Sequence, residues 1–240
     1  MTSRNQVWKR RENVLKRLPS KDEITWFRNR LQAWYAQNQR DFPWRKSTDP
    51  YLICVAETLL QQTSANKVAH VLESFINKYP SWESLAEADE EDVKQTIFPL
   101  GLYRRRANVL RRLAKVMALR NTLPHSRNGL EKLPGIGQYI ANVILVVLFK
   151  KRLPFLDVNM SRVLERFFGP REMTDIRYDP FLQTLSRKVV NVREARHANW
   201  MVLDFAAMIC TKKAPKCQLC VLAERCRSIN QTSLTLNIWE

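Results

Sequence analysis

Residues 133–149 read LPGIGQYIANVILVVLF, and the reading of this stretch decides the fold. Two glycines, Gly135 and Gly137, flank a single apolar residue, and Gln138 opens a segment that is apolar nearly throughout. Such a segment suits a buried helix, because no polar face is left for water. Glycine permits positive φ and close backbone approach. A glycine turn set before a helix N-terminus directs unpaired backbone N–H groups outward, where a phosphate can accept them. The stretch therefore predicts a helix-hairpin-helix that holds nucleic acid through Gly135 and Gly137 without reading its sequence. An ordinary helix–helix turn is the competing reading. A nucleotide-binding glycine loop is disfavoured, because no strand precedes it.

The rest of the chain agrees with helices. Ser20 with Glu23 resembles a capping box, followed by Ile24, Phe27, Leu31 and Trp34 at helical spacing. Asp49-Pro50 places a capping residue before a first-turn proline and opens a helix through Leu59. Val68, Leu72, Phe75 and Ile76 mark the next helix, closed by Pro80. Val93 and Ile97 mark another, with Asp89 as its cap. From Arg104 to Leu119 the pattern is basic outside and apolar inside. No stretch alternates with period two, and the five glycines are few for a chain of tight turns. An all-α fold is expected.

Forty Lys and Arg stand against 23 Asp and Glu, a formal charge of +17 over 240 residues. So large an excess attracts polyanions, nucleic acid before others. No apolar run approaches the roughly 20 residues that span a bilayer, and the start MTSRNQVWKRR lacks the apolar stretch of a signal peptide. An intracellular protein of cytoplasm or nucleoid, without a membrane partner, is expected. The first 20 residues carry Arg4, Lys9, Arg10, Arg11, Lys16 and Arg17 against one acid, either a solvated basic tail or a DNA-touching arm.

Cys54 lies alone in an apolar segment, whereas Cys210, Cys217, Cys220 and Cys226 follow C-x6-C-x2-C-x5-C within 17 residues. In a reducing compartment such clustering points to metal rather than disulfides. Four thiolates suit zinc or a [4Fe–4S] cluster. Zinc ribbons usually carry two C-x2-C pairs and this chain has one, which favours the iron–sulfur cluster. Lys212, Lys213, Lys216, Arg225 and Arg227 would offset its negative charge. Glu57 sits in the apolar helix VAETLL, where a carboxylate is costly unless it faces a cleft or a partner. Asp157, before Val-Asn-Met, reads by itself as a helix cap. His70, His125 and His197 have no motif around them and read as surface or packing residues.

LPGIGQYIANVILVVLFKKRLPFLDVNMSRVLERFFG (133–169) resembles the helix-hairpin-helix and aspartate signature of the endonuclease III superfamily of DNA glycosylases. RDFPWR (40–45), DPYLICVAETLLQQT (49–63), GLYRRRANVL (101–110) and DFAAMICTKKAPKCQLCVLAERC (204–226) match further segments of that family. The resemblance runs over most of the chain. It implies two helical domains, one of residues 46–150 holding the hairpin and one built from 1–45 and 151–240 holding the cluster. It implies Asp157 as the catalytic aspartate and Glu57 as the acid of the base pocket. Gln62 and Leu102 match residues that fill the hole left by an extruded base, and Gln61 is their neighbour in the groove.

Bifunctional members of the family carry a lysine two residues after the second hairpin glycine. Here that position is Tyr139, which cannot form the Schiff base of strand cleavage. Mismatch thymine-DNA glycosylases also have tyrosine there and share RDFPWR. The resemblance thus implies a monomeric, monofunctional glycosylase acting on double-stranded DNA and removing thymine or uracil mispaired with guanine. Adenine excision opposite oxidised guanine is the alternative. LLQQT and LDVN resemble the adenine enzymes, but the chain ends soon after the cysteines, without the C-terminal domain such enzymes use. A catalytically silent DNA-binding or redox-sensing module is a third reading, and the joint presence of Asp157 and Glu57 argues against it.

Overall fold

The computed structural model describes residues 17–120 and 122–230, and among these every regular element is helical. The basic stretch from Arg4 to Lys16 lies outside the described residues. Two compact units are present. Asp41–Lys151 forms one, and the described residues up to Arg40 and from Arg152 onward form the other.

The Asp41–Lys151 unit holds α2 (Pro43–Lys46), α3 (Pro50–Leu60), α4 (Ala65–Lys78), α5 (Trp82–Glu87), α6 (Glu90–Ile97), α7 (Tyr103–Arg120), α8 (Arg127–Leu130) and α9 (Gln138–Val147). The caps follow local sequence. Asp49 accepts the N–H groups of Tyr51 and Leu52, with Pro50 in the first turn, and Asp89 accepts that of Asp92. One apolar core runs from Phe42 and Trp44 through Val55, Leu59, Leu72 and Phe75 to Leu110 and Ala114. The helix α9 is buried from Ile140 to Val147 and packs on α3 and α8.

The helix α7 departs from the simple inside-outside pattern at two positions. Leu119 is 87% exposed, since it lies in the last turn beyond the packed part of the helix, and Arg106 is 3% exposed. A guanidinium inside a core demands acceptors, and those it finds are described below.

The other unit holds α1 (Lys21–Tyr35), α10 (Val158–Phe168), α11 (Pro180–Val190) and α12 (Ala195–Met208). Its core is aromatic: Phe27 lies 5.0 Å from both Phe167 and Phe168, centroid to centroid, and Trp34 meets Phe205 edge-on at 5.2 Å. Ser20 caps α1 by accepting the Glu23 N–H at 3.1 Å. The Glu23 carboxylate reaches toward Arg227 at 3.5 Å, so only the Ser20 half of the expected capping box forms. Arg17 is tied down, its guanidinium on Glu172 at 2.6 Å and over the Phe181 ring. Buried polar groups set the loops. Asp179 caps α11 and also accepts the N–H groups of Glu172 and Met173. Asp204 takes both the side chain and the backbone N–H of Arg40.

Candidate active site and cysteine loop

Asp157 is the N-cap of α10. Its Oδ1 accepts the N–H groups of Asn159 (2.9 Å) and Met160 (2.7 Å), and its Oδ2 accepts the Asn159 amide at 2.7 Å. The segment leading to it is fixed by Asn199, buried on α12. Asn199 accepts the Phe155 N–H at 2.6 Å and donates to the Leu153 and Ala195 carbonyls. The carboxylate therefore has a defined position and direction. Burial raises its pKa, opposed by the Met160 N–H, the Asn159 amide and N–H, and the Arg162 charge. A carboxylate held partly out of water is poorly solvated, and in its ionised form it is suited to stabilising positive charge nearby.

Arg162 continues this chain of contacts. It donates to Asn159 Oδ1 at 3.1 Å and to the carbonyls of Cys210 and Ala206 at 2.9 and 3.0 Å. One turn on, Arg166 donates to the Thr211 and Lys212 carbonyls and approaches Cys210 Sγ at 3.4 Å. The helix that begins at Asp157 thus ends by bracing the cysteine loop. Its flank borders a groove of about 600 Å³ lined by Asn159, Arg162, Arg166, Arg171 and Lys212, with Glu165 the one acid on its wall. Sequence reading gave no role to Arg162, Arg166 or Asn199. Most of their partners lie 44 to 48 positions away, which no local pattern reveals.

Cys210, Cys217, Cys220 and Cys226 line one cavity of about 390 Å³, with Arg166 and Lys216 on its wall. Among the described residues no group of three or more His, Cys, Asp or Glu is drawn together closely enough to hold a metal ion. Four thiols spread over one small cavity, with cations beside them, fit a polynuclear cluster. Burial pushes the Cys220 thiol up to about 11 and also raises Cys226, so ligation there must displace protons. Cys54 is fully buried, away from any such cavity wall, and belongs to the core.

In the Asp41–Lys151 unit, the hairpin forms as the glycines foretell. Gly135 has φ +76°, and a Cβ there would stand 2.2 Å from Val109 Cγ1. Gly137 is the N-cap of α9, has no side-chain cap and has open space where a Cβ would go. Its carbonyl receives the Ala141 N–H at 2.9 Å, the first rung of the α9 ladder. Tyr139 follows, partly buried, in the first turn of α9. Glu57 is 6% exposed on α3. Gln61, Gln62 and Leu102 are all exposed. Gln62 and Leu102 share an uncommon conformation, φ +56° and +50°, each strained by roughly 1–3 kcal/mol in a residue that has a Cβ.

The two turns that carry them are joined. Arg106 donates to the Leu100, Gly101 and Gln61 carbonyls and to Thr63 Oγ1, and Thr63 Oγ1 donates to the Leu100 carbonyl. The RRR run at 104–106 gave no sign that its third member turns inward. Asp157 and the four cysteines fall in one unit, while Glu57, Tyr139, the hairpin glycines, Gln61, Gln62 and Leu102 fall in the other.

Residues 55–189 match the family described as HhH-GPD superfamily base excision DNA repair protein. A thymine/uracil-DNA glycosylase of Pyrobaculum aerophilum is 38% identical over 214 residues, covering 86% of this chain and 92% of that protein. A thymine-DNA glycosylase of Aeropyrum pernix is also 38% identical, over 86% of this chain and 95% of its own. Among solved structures, a thermostable thymine-DNA glycosylase superposes with a TM-score of 0.81 at 29% identity, covering 88% of this chain and 98% of that one. A helical fold with a glycine hairpin, an aspartate-capped helix and this breadth of likeness leave one assignment: the chain belongs to the HhH-GPD superfamily of base excision DNA repair proteins and is a helix-hairpin-helix DNA glycosylase.

Proposed function

We propose that the protein removes thymine or uracil mispaired with guanine from double-stranded DNA, leaves an abasic site, and does not cleave the strand. The observation that carries this reading is likeness along nearly the whole chain to proteins named for thymine and uracil excision. Tyr139 supports the absence of strand cleavage, since a phenol cannot form the Schiff base that an amine forms at C1′.

In this reading the first N–H groups of α9 hold a DNA phosphate, while Gln62 and Leu102, with Gln61 beside them, occupy the space of the extruded base. Glu57 hydrogen-bonds the edge of the pyrimidine. The bond from C1′ to the base nitrogen breaks with its electron pair leaving on the base, and a water oxygen bonds to C1′. Ionised Asp157 stabilises the positive sugar and orients or deprotonates that water. Thymine and uracil leave as delocalised anions and take up a proton afterwards. Cys210, Cys217, Cys220 and Cys226 would hold a [4Fe–4S] cluster, which would supply a structural anchor for the basic loop around it. The Asp41–Lys151 unit then carries the hairpin and base pocket, and the other unit the aspartate and the cluster.

The test is a panel of labelled duplexes carrying G·T, G·U, A·G and A·8-oxoguanine, read under single-turnover conditions with and without alkali. Breaks at G·T and G·U that appear only after alkali are expected. Glu57→Gln keeps hydrogen bonding but loses the carboxylic proton, so it should retain measurable excision of thymine and uracil, about 10- to 100-fold slowed. Wild-type action on the adenine duplexes alone, abolished by this substitution, refutes the reading in favour of adenine excision.

The environment of Asp157 sets the pH dependence. Catalysis needs its ionised form, and burial raises its pKa, so excision should fall on acidification at a pH above the ordinary aspartate range. Asn159→Ala removes a hydrogen bond that favours the ionised form. Its acid limb should therefore move to higher pH, with the alkaline plateau lowered less than about tenfold. An unmoved limb contradicts this account of the carboxylate.

A further inference from the structure

Arg106 is a cation in a core, 3% exposed, and among the described residues no carboxylate pairs with it. Its four acceptors are neutral, and its Nε is buried with no partner at all. Burying a charge on such terms is unfavourable beside an apolar side chain of similar volume, so its presence needs a reason other than stability. The acceptors supply one, because they lie on two different turns. One fork of the guanidinium holds the Leu100 and Gly101 carbonyls, and the other holds the Gln61 carbonyl and the Thr63 hydroxyl. Thr63 closes the ring onto Leu100 at 3.1 Å. Beside these anchors stand three residues of positive φ: Gln62 (+56°), Gly101 (+71°) and Leu102 (+50°). Two are exposed side chains, Leu102 at 49%. Strained conformations persist only where the surroundings over-determine them, and here the surroundings converge on one side chain.

We infer that Arg106 is a positioning residue, clamping the 61–63 and 100–102 turns into one rigid wedge that holds Gln62 and Leu102 outward for base extrusion. The inference rests on the wedge reading of Gln62 and Leu102 given under the proposed function. It explains why arginine is required. A planar fork reaches two acceptor pairs at once, three carbonyls and one hydroxyl, whereas a lysine ammonium is a single point of charge. Rigidity matters because extrusion costs a few kcal/mol, and a wedge that yields transmits little of its binding to the stack.

The experiment compares wild type with Arg106→Lys, Thr63→Val, Leu102→Ala and Gln62→Ala. Three quantities are read: affinity for undamaged duplex, fluorescence of a 2-aminopurine next to the target base, and single-turnover excision. Excision is measured on G·U and on uracil in a single-nucleotide bulge, where extrusion is cheap. Arg106→Lys should lose about 10- to 100-fold on G·U and most of the 2-aminopurine signal, yet stay within about threefold of wild type on the bulge and in duplex affinity. Thr63→Val, which removes one anchor and keeps the shape, should move the same way by about 3- to 10-fold. It carries the test if Arg106→Lys does not fold.

Equal losses on paired and bulged uracil, or no loss in either variant, overturn the clamp. Impaired Leu102→Ala or Gln62→Ala beside a normal Arg106→Lys and Thr63→Val overturns the clamp alone. Normal Leu102→Ala and Gln62→Ala remove the wedge reading and the inference with it.

Discussion

Asp157→Asn should abolish excision while leaving the protein folded and bound to DNA. The loss expected is at least about 10²- to 10³-fold, the range seen when a preorganised electrostatic group is removed from the site of developing charge. Asparagine keeps the shape and can accept the Met160 N–H as the aspartate does, so the start of α10 stays capped. What disappears is the negative charge, together with the oxygen that accepts the Asn159 amide. The raised pKa of Asp157 also fixes the sign of the stability effect. Protonated aspartate suits this partly buried place better than ionised aspartate does. Its stabilising contribution is full below the usual carboxylate range and is lost as the pH rises through the raised pKa. At neutral pH the ionised group therefore weighs against folding, and the neutral amide relieves it. Thermal unfolding at pH 7 should give a Tm equal to wild type or higher by about 1–3 °C, and the same variant at acid pH should show no such gain. Duplex affinity by anisotropy together with single-turnover kinetics completes the test. Excision near the wild-type rate removes Asp157 from the chemistry.

The second large effect separates two glycines that sit two residues apart. Gly135→Ala combines a φ of +76° with a Cβ placed 2.2 Å from Val109 Cγ1. Left-handed backbone costs about 1–2 kcal/mol for a residue with a Cβ, and overpacking costs about 1–3 kcal/mol more. A destabilisation of about 2–5 kcal/mol is expected, enough to remove a large part of a typical domain's stability. Gly137 has an ordinary φ of −93° and nothing near its Cα hydrogens. Gly137→Ala should leave Tm within about 2 °C of wild type. It should weaken binding to DNA of any sequence by about tenfold, because the new methyl stands where the backbone would meet a phosphate. Equal Tm losses in the two variants, or unaltered DNA affinity in Gly137→Ala, contradict this division of labour.

The contrast between these glycines shows what kind of information the chain displays openly. Both are legible as a hairpin from LPGIG alone, because a turn before an apolar helix is a local event. The caps Ser20, Asp49 and Asp89 are legible for the same reason, each acting on N–H groups two or three positions away. The cysteines announce themselves by spacing within one loop. Asp157 reads locally as a cap, and the structure bears that out, but a cap and a catalytic group look alike until a substrate class is known. Arg106, Arg162, Asn199 and Asp204 stay hidden because their partners are distant in sequence. Nothing separates Arg106 from Arg104 and Arg105 except the direction α7 takes, and that direction is set by the core it covers. Glu23 illustrates the same limit in small, since its partner, Arg227, lies 204 positions away.

The order of the chain has a consequence during synthesis. Asp41–Lys151 is interposed in sequence between the two halves of the other unit. On the ribosome the interposed segment emerges whole, with every member of its core already made. The helix α1, released earlier, has no such company. Phe27 buries itself against Phe167 and Phe168, and Arg40 waits 164 positions for Asp204. At about 5–20 residues per second, that wait lasts on the order of ten to thirty seconds. Throughout it a nascent amphipathic helix stands with its apolar side bare, beside the strongly basic segment that precedes it. The helices α10 and α12, which bring Phe167, Phe168 and Phe205 to α1, end this exposure, and they are made only after the interposed unit is complete.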